Sequence, residues 1–388
     1  MRNRSLVPLP MISCLVLGLA ACSSSSKSGG TADATAPTHD SGTVDATPVV
    51  ALDGPLAAVD ATHDVALDTA PDAAFDAALA LDASLDGRLD KFVAMTEGQP
   101  ASLWWEPSNS TLYIADNQNN QIWTWTEASG LAKYATTAPT PGEIDAGATL
   151  VGQLVRQSDG TVVVARFGSP RGAFAAVAYV LPDGGAGLVP GVDPTQHHLG
   201  LGLAAGDQLF GSYFAGTPGG AMAGAVTRID LQTGETVYAA GFAKIVGVLV
   251  ANGKLYVSDQ GNSSIYVLPL SGLPLDGGID GGGPAGGSSD GGSADGGVGF
   301  PVLATLPVPD QICAGPDGSI FTGQFQAAPN STAPISVRQI KPDGTVTLFR
   351  SDPDVGKPSG CAYDAVNRRL FVADSSTLLN GVHIFAVP

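Results

Sequence analysis

The sequence predicts an all-β chain: a six-bladed β-propeller closed by an N-terminal strand and preceded by a signal peptide and a disordered tether. Three observations lead there. First, Thr111–Trp125, TLYIADNQNNQIWTW, is a strand, a polar turn and a second strand, and it returns as Lys254–Leu268 (KLYVSDQGNSSIYVL) and Arg369–Phe385 (RLFVADSSTLLNGVHIF). A unit recurring at tens of residues marks a repeat architecture. Second, from Leu89 onward short strand-like runs alternate with Gly, Pro, Asn and Asp turns, with no sustained helical period. Third, the composition before Leu89 is dominated by Ala, Asp, Thr and Pro, which cannot build a core.

Residues 1–21 read as a targeting segment. Arg2 and Arg4 give a charged start, and Leu6–Leu19 is an apolar run too short to span a bilayer as a mature helix. Leu19-Ala20-Ala21-Cys22 then places small residues before a cysteine. This pattern resembles a bacterial lipoprotein signal, which implies lipid (a diacylglyceryl group and palmitate) on Cys22 and cleavage before it. The plain alternative is an ordinary secretory signal. Several acyl chains on one residue anchor stably, where one does not. Ser23 points to the outer membrane of a Gram-negative bacterium under the common sorting rule. The expected localisation is therefore the cell envelope.

Residues 22–88 form the tether. Twelve of the 36 acidic residues are aspartates within 31–90, so much of the net charge of −18 belongs to the tether and describes no binding face. As a random coil the tether spans about 45 Å, enough to lift a domain off a headgroup layer. An Asp-rich calcium array is the sharper reading, but no spacing matches an EF-hand loop or a Gly-Gly-x-Gly-x-Asp repeat. With 18 Lys and Arg and an acidic balance, nucleic acid is not an expected partner. A monomer is expected.

Residues 89–388 are expected to hold the propeller, each blade reading as four strands. The inner strands fall at 101–106, 150–156, 199–205, 245–251, 310–315 and 359–364. The LYVAD-like second strands fall at 111–116, 161–166, 208–213, 254–259, 319–324 and 369–374. Third strands follow each, but only five outer strands can be found, and the chain stops at Pro388 after a third strand. Leu89–Thr96, LDKFVAMT, resembles Leu131–Thr137, so the missing outer strand is expected at the front, pairing with Val382–Val387. Closure of that kind protects edge strands. Residues 271–299 read as a flexible Gly/Asp/Ser-rich insertion in blade four.

LYIADNQNNQI and LYVSDQGNSSI resemble NHL repeats, and PSGCAYDAVNRRLFVAD (358–374) is similar to the inner-strand half of the same repeat. The pattern is shared with the gluconolactonase and senescence-marker family. That resemblance implies a divalent metal at one mouth of the channel, held by Glu, Asn and Asp near the starts of inner strands. The corresponding positions here are Ala101, Val151, Gly200 or Leu201, Val246, Asp310 and Ser359, and only Asp310 is a ligand type. Glu97-Gly98 looks like the family's Glu-Gly but falls four residues early. A hard cation needs several oxygen ligands. The expectation is therefore a non-catalytic binding or scaffold module for a protein or glycan, without a cofactor and without catalytic residues. The alternative is a metal-dependent lactonase using Asp310 and Glu97.

Other chemistry is thin. His39 and His63 lie in the tether, His197 and His198 read as a solvated loop before blade three, and His383 falls in a third strand; no G-x-S-x-G occurs. Asp116, Asp259 and Asp374 end second strands and are expected to cap the following turn. Arg166, Tyr213 and Gln324 replace them in the other blades. Departures from a repeat rule can mark a binding face, which makes Arg166, Arg171 and Tyr213 candidate ligand contacts. Of four cysteines, Cys313 and Cys361 remain for the propeller. An exported compartment permits a bridge, but the repeat alignment sets them one position out of register, so two small buried thiols are expected. Trp104 and Trp105, adjacent on an inner strand, should face opposite sides.

Overall fold

A computed structural model describes residues 90–143, 150–168, 173–216, 222–271, 299–324 and 335–388. The signal segment, Cys22, the tether, Arg171 and nearly all of 271–299 lie outside these residues. The described chain forms six four-stranded antiparallel sheets, five of them in simple chain order from inner to outer strand. Blade one is Pro100–Glu106, Thr111–Asp116, Gln121–Thr126 and Gly130–Thr136. The inner strands of the other blades are Leu150–Arg156, His197–Leu203, Ile245–Ala251, Ile312–Ala314 and Pro358–Asp364.

The sixth sheet closes the ring as expected. Its outer strand is Lys91–Ala94, paired with Gly381–Ala386 in the register Lys91 to Ile384, Phe92 to His383, Val93 to Val382 and Ala94 to Gly381. The Asn380 amide extends the seam, donating to Met95 O at 2.7 Å and Gly98 O at 2.9 Å.

Second strands are covered on both faces because neighbouring blades pack against each. They therefore read as continuous apolar runs rather than alternating ones. Leu112 to Ala115, Val162 to Ala165 and Leu370 to Ala373 are all buried, whereas the outer strand Gly130–Thr136 is largely exposed. The two tryptophans divide as the pattern implies. Trp105 stacks on Phe371 of blade six at 5.0 Å between ring centroids, while Trp104 packs against the clusters that join blade one to blade two and blade two to blade three.

The sequence expectation for the cysteines is corrected: Cys313 and Cys361 form a disulfide with their Cα atoms 5.6 Å apart. A one-position stagger between adjacent inner strands still brings the two sulfurs within bonding reach. The inner strand of blade six carries a one-residue bulge between Pro358 and Cys361, as do the inner strands of blades one, three and four. The inner strand of blade five pairs without a shift over Ile312–Ala314. The offset of the alignment persists in the ladders, with Cys313 opposite Phe321 and Cys361 opposite Val372, and the bridge joins these staggered positions across the two adjacent inner strands.

The middle of the channel is closed by backbone and one amide. A Cβ at Gly152 would lie 2.3 Å from Leu199 O, so only glycine permits that approach. The next residue, Gln153, crosses the axis. Its Oε1 accepts from Leu201 N at 3.1 Å and Val248 N at 2.7 Å, and its Nε2 donates to Ile312 O at 3.2 Å. One side chain thus ties blade two to blades three, four and five.

Candidate functional site

The inner strands begin at one mouth of the channel, and the aspartates ending second strands organise that mouth. Asp116 accepts from Gln99 N and Gln118 N, both at 2.9 Å, and from Trp123 Nε1 at 3.2 Å. Gly98, at φ +80°, presses on the same carboxyl. Asp259 accepts from Ala243 N and Lys244 N, each at 2.9 Å, and from Gly261 N at 3.0 Å. Asp374 accepts from Gly356 N at 2.6 Å and from Lys357 N and Ser376 N at 2.9 Å. Each carboxylate caps its own turn and also holds the segment that enters the inner strand. Burial works against the charge on Asp374, but His383, Gly356 N and Ser376 outweigh it and hold the carboxyl below its usual range.

The blades that depart from the aspartate rule do the same work with other groups. Arg166 is fully buried. It donates to Ala138 O at 2.7 Å and to Thr140 Oγ1 at 3.3 Å, and it pairs with Glu143. It holds the segment entering blade two and does not stand on an exposed binding face. Gln324 donates to Pro307 O at 2.6 Å in blade five. Tyr213 is half-buried with its ring 5.7 Å from that of His198, and burial pushes its hydroxyl up. Arg171 lies outside the described residues.

The histidines differ from the sequence expectation. They open the inner strand of blade three and are both buried. The strand starts two residues earlier than the repeat suggested, which takes them out of solvent. His198 Nε2 lies 3.1 Å from Glu235 Oε1. His197 Nδ1 lies 2.9 Å from Phe167 O; a carbonyl only accepts, so Nδ1 carries the proton. The His197 ring stacks on Phe167 at 4.1 Å and lies 5.1 Å from Phe214.

Asp310 precedes the inner strand of blade five and is only 7% exposed. Its N–H donates to Gly323 O at 3.0 Å and its carbonyl accepts from Thr322 Oγ1 at 3.2 Å, so the backbone is fixed. Burial pushes its carboxyl up to about 7, against the opposing pull of the Gln311 N–H and of the Lys244 and Lys357 charges. Burial in turn lowers the Lys244 ammonium, which the Asp310 charge opposes. Lys244 Nζ donates to Gln260 Oε1 at 2.5 Å and lies 5.7 Å from the Phe214 ring. The two lysines facing Asp310 are those whose backbone N–H groups are held by Asp259 and Asp374. Capping and the charge arrangement of the mouth are therefore one system. The capping role of the aspartates was readable from the repeat; the lysines were not, because nothing in the repeat marks their side chains.

This donor set does not fit the divalent cation that the resemblance implies. One carboxylate is faced by two lysines, and Ala101, Val151, Val246 and Ser359 supply no carboxylate. Glu97 is exposed on the approach to blade one, and its neighbour Gly98 is spent against Asp116. Among the described residues no group of three His, Cys, Asp or Glu is placed to hold a metal ion.

No protein-family model matches the chain, and no curated protein matches its sequence. Solved structures share the fold. A gluconolactonase from Xanthomonas campestris is 16% identical, covers 78% of this chain and 90% of its own, and superposes with a TM-score of 0.54. Regucalcin, a calcium-binding protein of Agrobacterium tumefaciens, is 13% identical over 76% of this chain and 93% of its own, with a TM-score of 0.53. The PQQ-bound aldose sugar dehydrogenase of Streptomyces coelicolor is 15% identical over 76% and 95%, also at 0.53. The architecture is thus shared with the gluconolactonase and regucalcin propellers, and one fold carries several chemistries.

Proposed function

We propose that the ring is a hydrolase of small cyclic esters, working at the Asp310 mouth and without a metal ring. One observation carries this: a carboxyl at the position of a family ligand is buried, held near neutral pKa and within the field of two lysine charges. The fold shared with a gluconolactonase supports the substrate class. Groups whose surroundings drive their pKa values toward neutrality are suited to acid–base work.

In this reading the Asp310 carboxylate takes a proton from water as the water oxygen attacks the lactone carbonyl. The Lys244 ammonium faces the oxygen on which negative charge develops. Collapse breaks the ring C–O bond, and Asp310 returns its proton to the leaving alkoxide. One water is consumed, and a hydroxy acid is formed. The test is hydrolysis of a panel of γ- and δ-lactones by the full chain, followed with a pH indicator. Asp310→Asn should lower kcat/KM by about 10²- to 10⁴-fold. Undiminished turnover by that variant, or no turnover by the wild type, overturns the proposal.

A second reading is a non-catalytic module that binds a protein or glycan. The near-complete burial of Asp310 favours it, because a carboxyl shut away from solvent is a poor partner for substrate water. Absence of lactone turnover together with a partner retained by the ring selects this reading.

The proposed address is the outer membrane of a Gram-negative cell, with lipid on Cys22, a residue outside those described. Labelled palmitate should enter the wild type and not Cys22→Ser, which should leave the membrane fraction.

A further inference from the structure

His197, His198 and His383 are the histidines among the described residues, and their ring nitrogens are used differently. His198 has both engaged, Nδ1 at 2.8 Å from Gln196 O and Nε2 at 3.1 Å from Glu235 Oε1. His383 Nε2 is buried, with Asp374 Oδ2 at 3.4 Å. His197 differs from both. Its Nδ1 carries the proton toward Phe167 O, so in the neutral ring Nε2 presents a lone pair. That nitrogen has no partner among the described residues and is not closed off from solvent.

The His197 ring is also held in place. It opens the inner strand of blade three, at the mouth, and pairs in register with Phe214. Phe167 stacks on it at 4.1 Å and 11° between planes, and Phe214 lies at 5.1 Å. A clamped ring with one nitrogen bonded to backbone aims the other in one direction, and an acceptor ordered in advance costs a ligand little to meet. Lys244 approaches the same Phe214 ring, with Nζ 5.7 Å from its centroid. Its hydrogen bond goes to the neutral Gln260 Oε1 at 2.5 Å, and an ammonium has three donors. Phe214 thus has a fixed acceptor and a cationic donor beside it. A ligand that meets both brings an acceptor oxygen to Lys244 and a hydroxyl to His197. A ligand without the hydroxyl displaces water from Nε2 and returns nothing for it.

We infer that His197 is a specificity-determining residue of the mouth: Nε2 accepts a hydrogen bond from a hydroxyl of the substrate whose carbonyl oxygen lies at Lys244, so a hydroxylated lactone is preferred to a bare one. The lactone in this statement rests on the hydrolase reading above; the hydroxyl rests on the geometry of His197.

The experiment uses the full chain with D-ribono-1,4-lactone and with γ-butyrolactone, the same five-membered ring without hydroxyl groups. His197→Phe keeps an aromatic ring beside Phe167 and Phe214 and removes the acceptor. It should lower kcat/KM for ribonolactone about tenfold, the worth of one hydrogen bond, and leave γ-butyrolactone within about twofold. A readout independent of turnover is carbethoxylation of the wild type by diethyl pyrocarbonate, followed by mass spectrometry of its peptides. His197 should react ahead of His198 and His383, and ribonolactone should protect it. The inference is overturned if His197 reacts no faster than those two, if ribonolactone does not protect it, or if the ratio of the two lactones is unmoved in a folded His197→Phe protein. That last result, with both lactones turned over, leaves the hydrolase reading standing. No turnover of either lactone, with His197 still protected, overturns the hydrolase reading and keeps His197 as the acceptor for a bound hydroxylated ligand. Should His197→Phe fail to fold, labelling and protection decide alone.

Discussion

Cys313 and Cys361 lie 48 residues apart and join the inner strands of blades five and six on the wall of the channel. The inner strand of blade five is the shorter partner, only Ile312–Ala314, and Asp310 precedes it. The bridge therefore secures the segment that carries the buried carboxyl. Closing a loop of this length removes denatured-state entropy worth about 2–4 kcal/mol. Cys313→Ala with Cys361→Ala should lower the unfolding free energy by that amount, bringing the urea midpoint down, and should raise the m-value because the denatured chain without the cross-link exposes more surface. Denatured but unreduced protein should leave both thiols unlabelled by iodoacetamide; labelling of either would contradict the bridge.

Asp310 gives the stability a defined pH dependence. Its folded pKa of about 7 lies above the ordinary 3.8. Between those values the folded chain binds a proton that the unfolded chain does not, so this group makes stability fall as pH rises through the window. Asn mimics the protonated carboxyl and cannot ionise. Asp310→Asn should gain on the wild type as pH rises from about 4, levelling off above about 7 at no more than about 4 kcal/mol. Urea titrations at pH 5 and pH 8 measure the gap. A gap equal at both values would mean that Asp310 does not titrate in this window. Lactone turnover has the same midpoint with the opposite sense, rising through about pH 7 as the carboxylate forms.

Asp259 serves both stability and the site. Removing its buried carboxyl takes the acceptor from the part-buried N–H groups of Ala243, Lys244 and Gly261. Asp259→Ala should cost roughly 3 kcal/mol or more, and Asp259→Asn less, since an amide oxygen still accepts. The variant should also lose lactone turnover beyond what its unfolded fraction explains, because Lys244 is released. Thermal unfolding paired with turnover below the midpoint separates the two effects. A destabilised variant with wild-type turnover would place Lys244 outside the chemistry.

The architecture was legible because strand, turn and strand repeat locally: Asp116 with its turn, Asp259 with its turn and Asp374 with its turn each announce themselves within a dozen residues. Closure by Lys91–Ala94 was legible because a ring with one outer strand too few has a single place to find another. The mouth was less legible. Half-buried Lys244 and exposed Lys357 acquire meaning only through the reach of their charges to Asp310, a relation between blades that no local pattern records. The buried histidines and the disulfide were hidden for a related reason. The histidines depend on where a strand starts, and the bridge on how closely two staggered inner strands approach, and neither changes the hydrophobic pattern. Arg166 misled because variation from a repeat rule was read as exposure, whereas Arg166 does the aspartate's fastening with a different group.

The charge arrangement of the mouth also predicts how the chain responds to metal. A site for a divalent cation binds the folded chain only, so a hundredfold excess over its dissociation constant would add about 2.7 kcal/mol. At this mouth a cation would meet the field of the Lys244 and Lys357 charges as well as Asp310, and like charges repel. Thermal unfolding of the full chain in EDTA, then in excess calcium, zinc or manganese, should show no shift attributable to the ring. A rise in the midpoint that is abolished by Asp310→Ala would show that the lysines yield to a cation, and lactone turnover should then be measured with that metal present. A rise that survives Asp310→Ala would place the metal elsewhere in the chain and leave the mouth as argued.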